Sequence, residues 1–325
     1  MKHNTLFHNL KPARLAKRAM FIFRKERHSR SLTKAIEGAF RNSSQPVNFL
    51  NRVQIAQAQN AAESWTPQHT ISWAFETFGD SVAISSAFGA EGMVLIDMAS
   101  RVRSDFKLFT IDTEFLFPET YNLMDKIEEK YRIAIERVYS ALSPDEQARL
   151  HGEALWSGNP DQCCNLRKVQ PLRRKLNELN AWITSIRRDQ TSARSGAKRV
   201  EWDAKFGLVK INPMVDWTSR QVWRYIHEHD VPYNQLHNQD YPSIGCTYCT
   251  RAVRPGEDSR AGRWPGFAKT ECGLHVIEPA PNPAEARVAE AGNGRRSCLA
   301  EGVGNASPVS DRFRLREEIP VQPLN

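Results

Sequence analysis

Two pairs of cysteines are the first residues in this chain whose spacing suggests chemistry. Cys246 and Cys249 are separated by two residues, a spacing found in metal sites and in redox dithiols. Cys163 and Cys164 are adjacent, and a disulfide between neighbours would close a strained ring. Together the pairs offer four soft ligands, the number that zinc or an iron–sulfur cluster requires. Because a cubane presents separate irons to neighbouring thiolates, the sequence favours a cluster over zinc, with buried structural cysteines as a third alternative.

Basic residues follow the adjacent cysteines. Arg167 and Lys168 come three and four positions after Cys164, so in a helix they would return to the thiolate face. An ammonium group there would stabilise the negative charge of a four-thiolate cubane. Without a metal, the two residues are interpreted as ordinary surface charge.

A fifth cysteine, Cys272, has a different setting. It follows residues 255–266 (PGEDSRAGRWPG), which lack hydrophobic periodicity and are predicted to be mobile. A thiol near Lys269 and His275 is a candidate low-pKa nucleophile, although a lone cysteine is more often inert. Cys298 lies in a low-complexity stretch and is interpreted as incidental.

The elements that must position these residues alternate between strand and helix patterns. Strands are predicted at residues 81–86, 106–111, 132–138, 182–186 and 208–211, and helices after Gly92, from Pro118 to Tyr131, and from Thr218 to about His229. This alternation predicts an α/β fold with a parallel twisted sheet covered by helices on both faces. Ligands in such folds bind at the carboxyl ends of strands, where residues 86–92, 112–114 and 187–196 are expected.

Composition and charge divide the chain into four parts. The 325 residues are 40% hydrophobic and 25% charged, without an apolar run long enough for a membrane span. Residues 1–45 hold eleven basic and two acidic residues, whereas residues 46–275 hold 28 of each sign. We therefore predict a basic extension (1–45, disordered or partly helical), an α/β domain (46–254), a mobile catalytic segment (255–275) and a low-complexity tail (276–325).

The basic extension has two interpretations. It could contact nucleic acid or an anionic surface or direct import, or it could be a solvated extension or an overcalled start, which we favour. No secretory signal is recognisable, and clustered thiols suit a reducing compartment, so a cytoplasmic enzyme is expected.

Several motifs occur in one order along residues 81–275. They are 87–95 (AFGAEGMVL), 111–113 (IDT) with 118–121 (PETY), Cys163-Cys164 with Arg167-Lys168, 187–190 (RRDQ) with Arg194, 241–253 (YPSIGCTYCTRAV), 255–264 (PGEDSRAGRW) and 271–275 (ECGLH). In this combination the sequence resembles the assimilatory adenylyl-sulfate reductases, the cluster-bearing branch of the adenylyl-sulfate and phosphoadenylyl-sulfate reductase family. Three positions depart from the family pattern: Glu114 replaces the usual glycine, Asn165 follows the cysteine pair where some members have glycine, and residues 191–193 (TSA) replace Ser-Pro-Thr.

The resemblance implies a fold like that of the adenine-nucleotide alpha-hydrolases and one [4Fe-4S] cluster per chain, held by Cys163, Cys164, Cys246 and Cys249. It also implies a nucleophile at Cys272 and sulfate contacts from Lys168, Arg260, Arg263 and His275. The nucleotide pocket would include Ser86, Gly89, Glu91, Asp112, Arg187, Arg188, Gln190 and Arg194.

The activity implied is thioredoxin-dependent reduction of adenosine 5′-phosphosulfate to sulfite and AMP through an S-sulfocysteine. The thioredoxin would be a separate protein, because the chain has no second CxxC domain of thioredoxin type. Reduction of 3′-phosphoadenylyl sulfate is the nearest alternative. More remote ones are nucleotide-dependent RNA thiolation by an iron–sulfur enzyme and a zinc-stabilised binding module. No membrane or nucleic-acid partner is expected. The sequence leaves open whether the protein forms a homo-oligomer.

Overall fold

The computed structural model describes residues 50–275. Within them the helices are α1 (Arg52–Ala62), α2 (Pro67–Phe78), α3 (Ala90–Val102), α4 (Pro118–Tyr131), α5 (Pro144–His151), α6 (Leu155–Gly158), α7 (Pro160–Cys164), α8 (Gln170–Leu176) and α9 (Ser219–Glu228). The strands are β1 (Val82–Ser85), β2 (Leu108–Asp112), β3 (Ile135–Tyr139), β4 (Ala181–Ile183), β5 (Val200–Asp203) and β6 (Leu208–Ile211).

The six strands form one sheet in the order β3-β2-β1-β4-β6-β5. Neighbours pair in parallel except β5, which runs antiparallel to β6. The chain moves outward from β1 through β2 to β3, then returns to place β4 on the other side of β1. The predicted α/β class is confirmed, and the predicted parallel sheet is found with one antiparallel edge strand, β5. The direction of winding changes between β1 and β4.

Alternate residues of the strands face two apolar clusters. Ile84 and Leu108 belong to the larger cluster, with buried side chains from α1, α2, α3, α4 and α9. Ala83 and Phe109 belong to the smaller one, which is covered by α8 and by Leu274. Because side chains alternate along a strand, the strands β1, β2, β3, β4 and β6 contribute to both layers, whereas β5 at the edge contributes only to the larger cluster. Helices therefore lie on both faces, as predicted.

The helix ends follow from local sequence. Pro118 occupies the first turn of α4, where the missing N–H costs nothing. Thr218 caps α9: its hydroxyl accepts a hydrogen bond from the Gln221 N–H, and the Gln221 side-chain oxygen accepts one from the Thr218 N–H. Both starts agree with the sequence prediction.

The largest differences from the sequence prediction are the later start of β3, the early end of β4 and the presence of β5. Strand β4 ends at Ile183 rather than at residue 186, because residues 184–186 turn into the wall of a cavity. Strand β5 was not predicted; its sequence VEWD is half acidic and forms an edge, so it lacks the apolar run that marks a central strand.

The predicted basic extension, low-complexity tail and Cys298 lie outside the described residues, and the boundary at residue 254 stays a prediction. Among the helices of residues 50–275, none has the length and apolar character needed to cross a bilayer.

Candidate active site

A cavity of about 650 Å³ opens where the winding of the sheet changes direction, beyond β1 and β4. Open α/β sheets bind ligands at this position. The cavity wall includes Ser86, Thr113 and Arg187, one from each polar segment predicted at a strand end. Its volume lies within the roughly 300–1,000 Å³ typical of small-molecule sites.

One wall is the turn between β1 and α3. Ser86 is buried, and its hydroxyl accepts a hydrogen bond from the Phe88 N–H at 3.1 Å. Phe88 adopts a positive φ of 56° and turns the chain into α3, with Gly89 as N-cap. Ser86, Gly89 and Glu91 line the cavity. The first N–H groups of this 13-residue helix thus lie at the cavity edge, where they favour an anion.

A second wall follows β4. Arg187 is buried, and its guanidinium pairs with Glu91 at 3.1 Å, with Asp189, and with the Trp217 carbonyl at 3.2 Å. Its positive charge is already compensated by two carboxylates. Gln190 and Arg194 also line the cavity.

Two residues predicted for the nucleotide pocket lie off the cavity wall. Asp112 accepts hydrogen bonds from the Tyr121 hydroxyl at 2.8 Å and the Glu114 N–H at 2.9 Å. Arg188 donates to the Ala197 carbonyl at 2.8 Å and reaches the exposed Glu63. Neither is among the residues that line the cavity. Their polar groups instead hold neighbouring loops and helices in place.

The four cysteines of the two pairs meet around a smaller cavity. Cys163 and Cys164 come from the last turn of α7, which is capped by Asn159. Cys246 and Cys249 follow in a loop that pairs with residues 115–116 after β2. All four are buried and line this cavity.

The thiols influence one another. Burial and then the neighbouring sulfurs raise the pKa of Cys163 to about 12, and burial and then Cys246 raise that of Cys249 to about 11. The Thr113 hydroxyl lies 3.3 Å from the Cys246 sulfur. Four sulfurs without an oxygen or nitrogen ligand fit the chemistry of an iron–sulfur cluster or zinc. As the side chains stand, no set of three or more Cys, His, Asp or Glu in residues 50–275 is arranged to hold a metal ion.

Aromatic and basic side chains complete the small cavity. Trp156 stacks on Tyr248 with ring centroids 4.0 Å apart, and Phe115 meets both rings edge-on. Arg167 and Lys168 also line it. Both basic residues therefore face the cysteine cavity, as the helical spacing predicts.

Cys272 lies where the two cavities approach each other. It lines the large cavity and packs against Cys164, Cys249 and Trp264. The residues predicted to contact sulfate line the same cavity: Lys168, Arg260, Arg263 and His275.

The ring nitrogens and guanidinium groups near Cys272 have spare donors. Ser243 accepts from Arg260 at 3.4 Å and from Arg263 at 3.2 Å. Nε of both arginines and Nδ1 of His275 are buried without a protein partner. Because buried polar atoms are normally hydrogen-bonded, the two Nε donors and the His275 ring nitrogen are available to a ligand or water. Gly245 lets the chain pass close to Arg263, since a Cβ there would overlap its guanidinium.

Charge and burial fix the protonation of two of these groups. Burial alone would lower the pKa of Lys168, but the nearby thiols of Cys246 and Cys272 raise it above its usual value. Burial, with the positive charges of Lys210, Arg194 and Arg260, holds the pKa of His275 well below 6.5. Lys168 is therefore an ammonium and His275 a neutral imidazole at pH 7.

The segment that carries Cys272 is docked on the sheet. Leu274 packs in the smaller apolar cluster, and His275 stacks on Trp182 of β4 at 5.5 Å. The Lys205 ammonium donates to the Gly273 carbonyl at 2.7 Å. Trp182 and Ser243 were not predicted as site residues, because neither a strand tryptophan nor an isolated serine indicates its partner in the sequence.

Comparisons with known proteins identify the family of this chain. The family model described as phosphoadenosine phosphosulfate reductase domain matches residues 81–252. The adenosine 5′-phosphosulfate reductase of Halalkalibacterium halodurans is 46% identical over 225 residues, covering 69% of this chain and 97% of that protein. That of Shouchella clausii is 47% identical over 205 residues, covering 63% of this chain and 85% of that protein.

A solved structure is also similar. The phosphoadenylyl-sulfate reductase of Candida auris, crystallised as a phosphate complex, shares 34% sequence identity with a TM-score of 0.55. The match covers 62% of this chain and 98% of that one. The family model spans more than half of the sequence, and the relatives are aligned over most of their own length. The chain belongs to the phosphoadenosine phosphosulfate reductase domain family.

Proposed function

We propose that this chain reduces adenosine 5′-phosphosulfate to sulfite and AMP in assimilatory sulfate reduction. The names of its relatives support this substrate. The observation that carries the proposal is the position of Cys272, a thiol on the wall of a nucleotide-sized cavity, beside Lys168, Arg260 and Arg263.

The nucleotide would bind between the two polar walls. Its phosphate would accept hydrogen bonds from the N–H groups at the start of α3, near Ser86 and Gly89. Gln190 and Arg194 would contact it from the other wall. The sulfuryl group would then point toward Cys272 and the unpartnered donors of Arg260 and Arg263.

In the first step, the Cys272 thiolate attacks the sulfuryl sulfur. A sulfur–sulfur bond forms, the bond from sulfur to the phosphate oxygen breaks, and AMP leaves with the electron pair. Because an anion attacks an anionic group, fixed positive charge must offset the repulsion, and the two arginines and Lys168 supply it. Each arginine can donate two bonds to the sulfuryl oxygens. Neutral His275 can hydrogen-bond a sulfuryl oxygen.

In the second step, a thioredoxin thiolate attacks the Cys272 sulfur of the S-sulfocysteine, and sulfite leaves with the electron pair. The second thiol of thioredoxin resolves the mixed disulfide and restores the Cys272 thiol. Both electrons come from thioredoxin. Cys272 must leave the cavity to meet this partner, so residues 255–275 would move between the steps.

The four buried cysteines would hold one [4Fe-4S] cluster: Cys163, Cys164, Cys246 and Cys249. When bound, the cluster would supply negative charge and a structural cross-link rather than electrons for the reaction. Lys168 lines both cavities, so its ammonium would lie between the cysteines and the sulfuryl group. Metal analysis of anaerobically purified protein distinguishes about four irons per chain from one zinc.

The reaction is tested with anaerobic, iron-loaded protein. Sulfite release from adenosine 5′-phosphosulfate should require thioredoxin, and without it intact mass should show one sulfonate on Cys272. Cys272→Ser should retain iron but lose turnover by at least about a thousandfold, because the nucleophile is gone. Cys298→Ser is the matched control and should keep both signals. Sulfite release by Cys272→Ser at the wild-type rate would refute the proposal.

A second candidate substrate is 3′-phosphoadenylyl sulfate, since the similar Candida auris protein is named for it. The same assay compares the two nucleotides. We expect higher kcat/KM for the nucleotide without the 3′-phosphate, and the reverse order would reassign the substrate.

A further inference from the structure

Glu271, the residue before Cys272, makes a dense set of polar contacts. Its carboxylate accepts hydrogen bonds from the Thr191 hydroxyl at 2.9 Å and from Arg194 Nε at 2.9 Å and Nη2 at 2.8 Å. Arg260 Nη2 lies 3.7 Å away. The side chains of Glu271 and Arg194 are 7% and 9% exposed. Both carboxylate oxygens are therefore satisfied in a largely water-free setting.

This contact joins two separate parts of the chain. Thr191 and Arg194 belong to the loop after β4, about 80 positions before Glu271. Other contacts also anchor the segment. Lys269 forms an ion pair with Asp161, and Arg260 donates to the Thr270 carbonyl at 2.9 Å. A bond from Lys205, the stack of His275 on Trp182 and apolar packing add to these. A two-point arginine–carboxylate pair also fixes direction, which apolar packing does not.

The same contact changes the part assigned to Arg194. Its Nε and Nη2 point to Glu271, and its Nη1 donates to Gln190 at 2.6 Å. All three guanidinium nitrogens are thus engaged with protein. Arg194 is positioned to orient the residue next to the nucleophile rather than to serve only the nucleotide.

We propose that Glu271 is a positioning residue: its pairing with Arg194 and Thr191 holds Cys272 in the cavity for attack, and its release frees Cys272 for reduction. The inference rests on the proposed function for its two steps. The two steps need opposite properties, a fixed thiol first and a free S-sulfocysteine afterwards. The strength of the Glu271–Arg194 ion pair, the contact next to the nucleophile, therefore shifts the balance between the two steps. Removing the Glu271 charge leaves a buried arginine without its partner, which opens the docked form.

The test compares Glu271→Gln with Glu257→Gln, both as iron-loaded full chains. Glu257 lies in the same segment and pairs with Arg251 through two contacts, at 2.8 and 3.0 Å, but does not line the cavity. Hydrogen exchange of residues 268–275 should rise roughly tenfold or more in Glu271→Gln and stay near wild type in Glu257→Gln. Equal exchange in both variants would overturn the proposal.

Kinetics separate positioning from general damage. In Glu271→Gln, formation of S-sulfocysteine in a single turnover should slow roughly tenfold or more. Reduction by thioredoxin of enzyme already carrying the sulfonate should be unchanged or faster. Equal loss in both steps, or faster sulfonation, would overturn the assignment.

A milder variant covers the case in which Glu271→Gln fails to fold. Thr191→Val removes one hydrogen bond and keeps the ion pair, so exchange of residues 268–275 should rise by a smaller factor, about threefold to tenfold. An unchanged rate would contradict the proposal. Hydrogen exchange needs no turnover, so it tests the role of Glu271 separately from the proposed reaction. If the variants loosen the segment but wild-type protein forms no sulfonate adduct, only the proposed reaction is rejected.

Discussion

Glu114 adopts a backbone conformation that favours glycine, with φ of 58° at the end of β2. Its carboxylate pairs with Arg167 at 3.0 Å. Arg167 is 1% exposed, also donates to the Thr113 carbonyl at 3.0 Å, and lies over the Phe115 ring at 4.4 Å. The departure from glycine therefore places a counterion beside a buried guanidinium on the wall of the cysteine cavity. The ion pair offsets a strain of about 1–2 kcal/mol.

Two substitutions separate strain from pairing. Glu114→Ala loses the ion pair and keeps the strain, so we expect it to lower the free energy of unfolding by about 1–3 kcal/mol; the one-third exposure of Glu114 limits the loss. Glu114→Gly also loses the pair but relieves the strain, and should recover about 1 kcal/mol. Urea denaturation of the iron-loaded proteins measures both. If Glu114→Ala is as stable as Glu114→Gly, backbone strain at this position does not contribute to the free energy of unfolding.

The sequence predicts which residues belong to the candidate site, but not every pairing among them. The cysteines and cations could be predicted to meet, because their types and motif order point to one site. The pairings of Glu114 and Glu271 could not. A carboxylate in a sequence does not reveal which arginine, 53 or 77 positions away, the fold brings to it.

At the scale of elements, the cysteine pair and Lys168 belong to one interrupted helix. Helix α7 continues through a π turn, Asn165–Val169, into α8. Such turns shift the register of a helix and are frequent at functional sites. Here the wider turn carries Arg167 and Lys168, and it directs Lys168 toward both cavities.

The docking of the C-terminal segment on β4 should depend on pH through His275. Its pKa is depressed when docked, so protonation favours the undocked segment. Docking is thus at full strength above the free pKa of about 6.5 and weakens as pH falls below it, by up to about tenfold per pH unit. Protection factors of residues 268–275, corrected for intrinsic exchange, should fall between pH 7 and 5.5.

His275→Gln provides the comparison, because glutamine does not titrate. In this variant the protection factors of residues 268–275 should be lower than in wild type at pH 7, because the stack on Trp182 is lost. They should not change between pH 7 and 5.5. A wild-type profile as flat as that of the variant would exclude His275 as the titrating group. Glu271 stays charged throughout, since hydrogen bonds and charge from Arg194 overcome burial and lower its pKa.

Element prediction succeeded where local signals were strong. Pro118 marks the start of α4, and the apolar run at residues 208–211 matches β6. The strand predicted at residues 132–138 begins three residues later, as β3 at Ile135–Tyr139, because Arg132 ends α4 in the left-handed conformation. Strand β5 has no continuous apolar run, because it is an edge strand that pairs only with β6.

At the scale of the molecule, the proposed cluster would join parts of the chain that secondary structure leaves separate. The ligands come from α7 and from a loop more than eighty residues later, which the described structure fixes through residues 115–116 and Trp264. A cross-link between distant segments limits their independent opening. The sheet lies elsewhere and has its own cores.

Iron removal should therefore loosen one region selectively. Anaerobic chelation, or Cys163→Ser, should raise hydrogen exchange of residues 155–170 and 241–264 by roughly tenfold or more, with a much smaller change in β1 and β2. Iron analysis and exchange measured on the same samples check this. Equal exchange with and without iron would show that the cysteines do not depend on a metal for their packing.

The order of strands could not be predicted from the sequence. Local patterns show that strands and helices alternate, but not that β4 returns beside β1. That return creates the crevice, and it depends on packing among residues far apart in the chain. The position of polar segments at strand ends was predictable because it follows from parallel pairing alone.

Leu274 and His275 cover apolar surface of the sheet, beside Trp182 and Phe206. If Cys272 leaves its cavity in every catalytic cycle, these neighbours lose their cover each time. The protein would then expose part of its own interior as a condition of turnover, and an idle open form would be vulnerable to self-association. A reductant that covers the apolar surface beside Trp182 and Phe206 while it reduces the S-sulfocysteine would protect the enzyme from association as well as regenerate the Cys272 thiol.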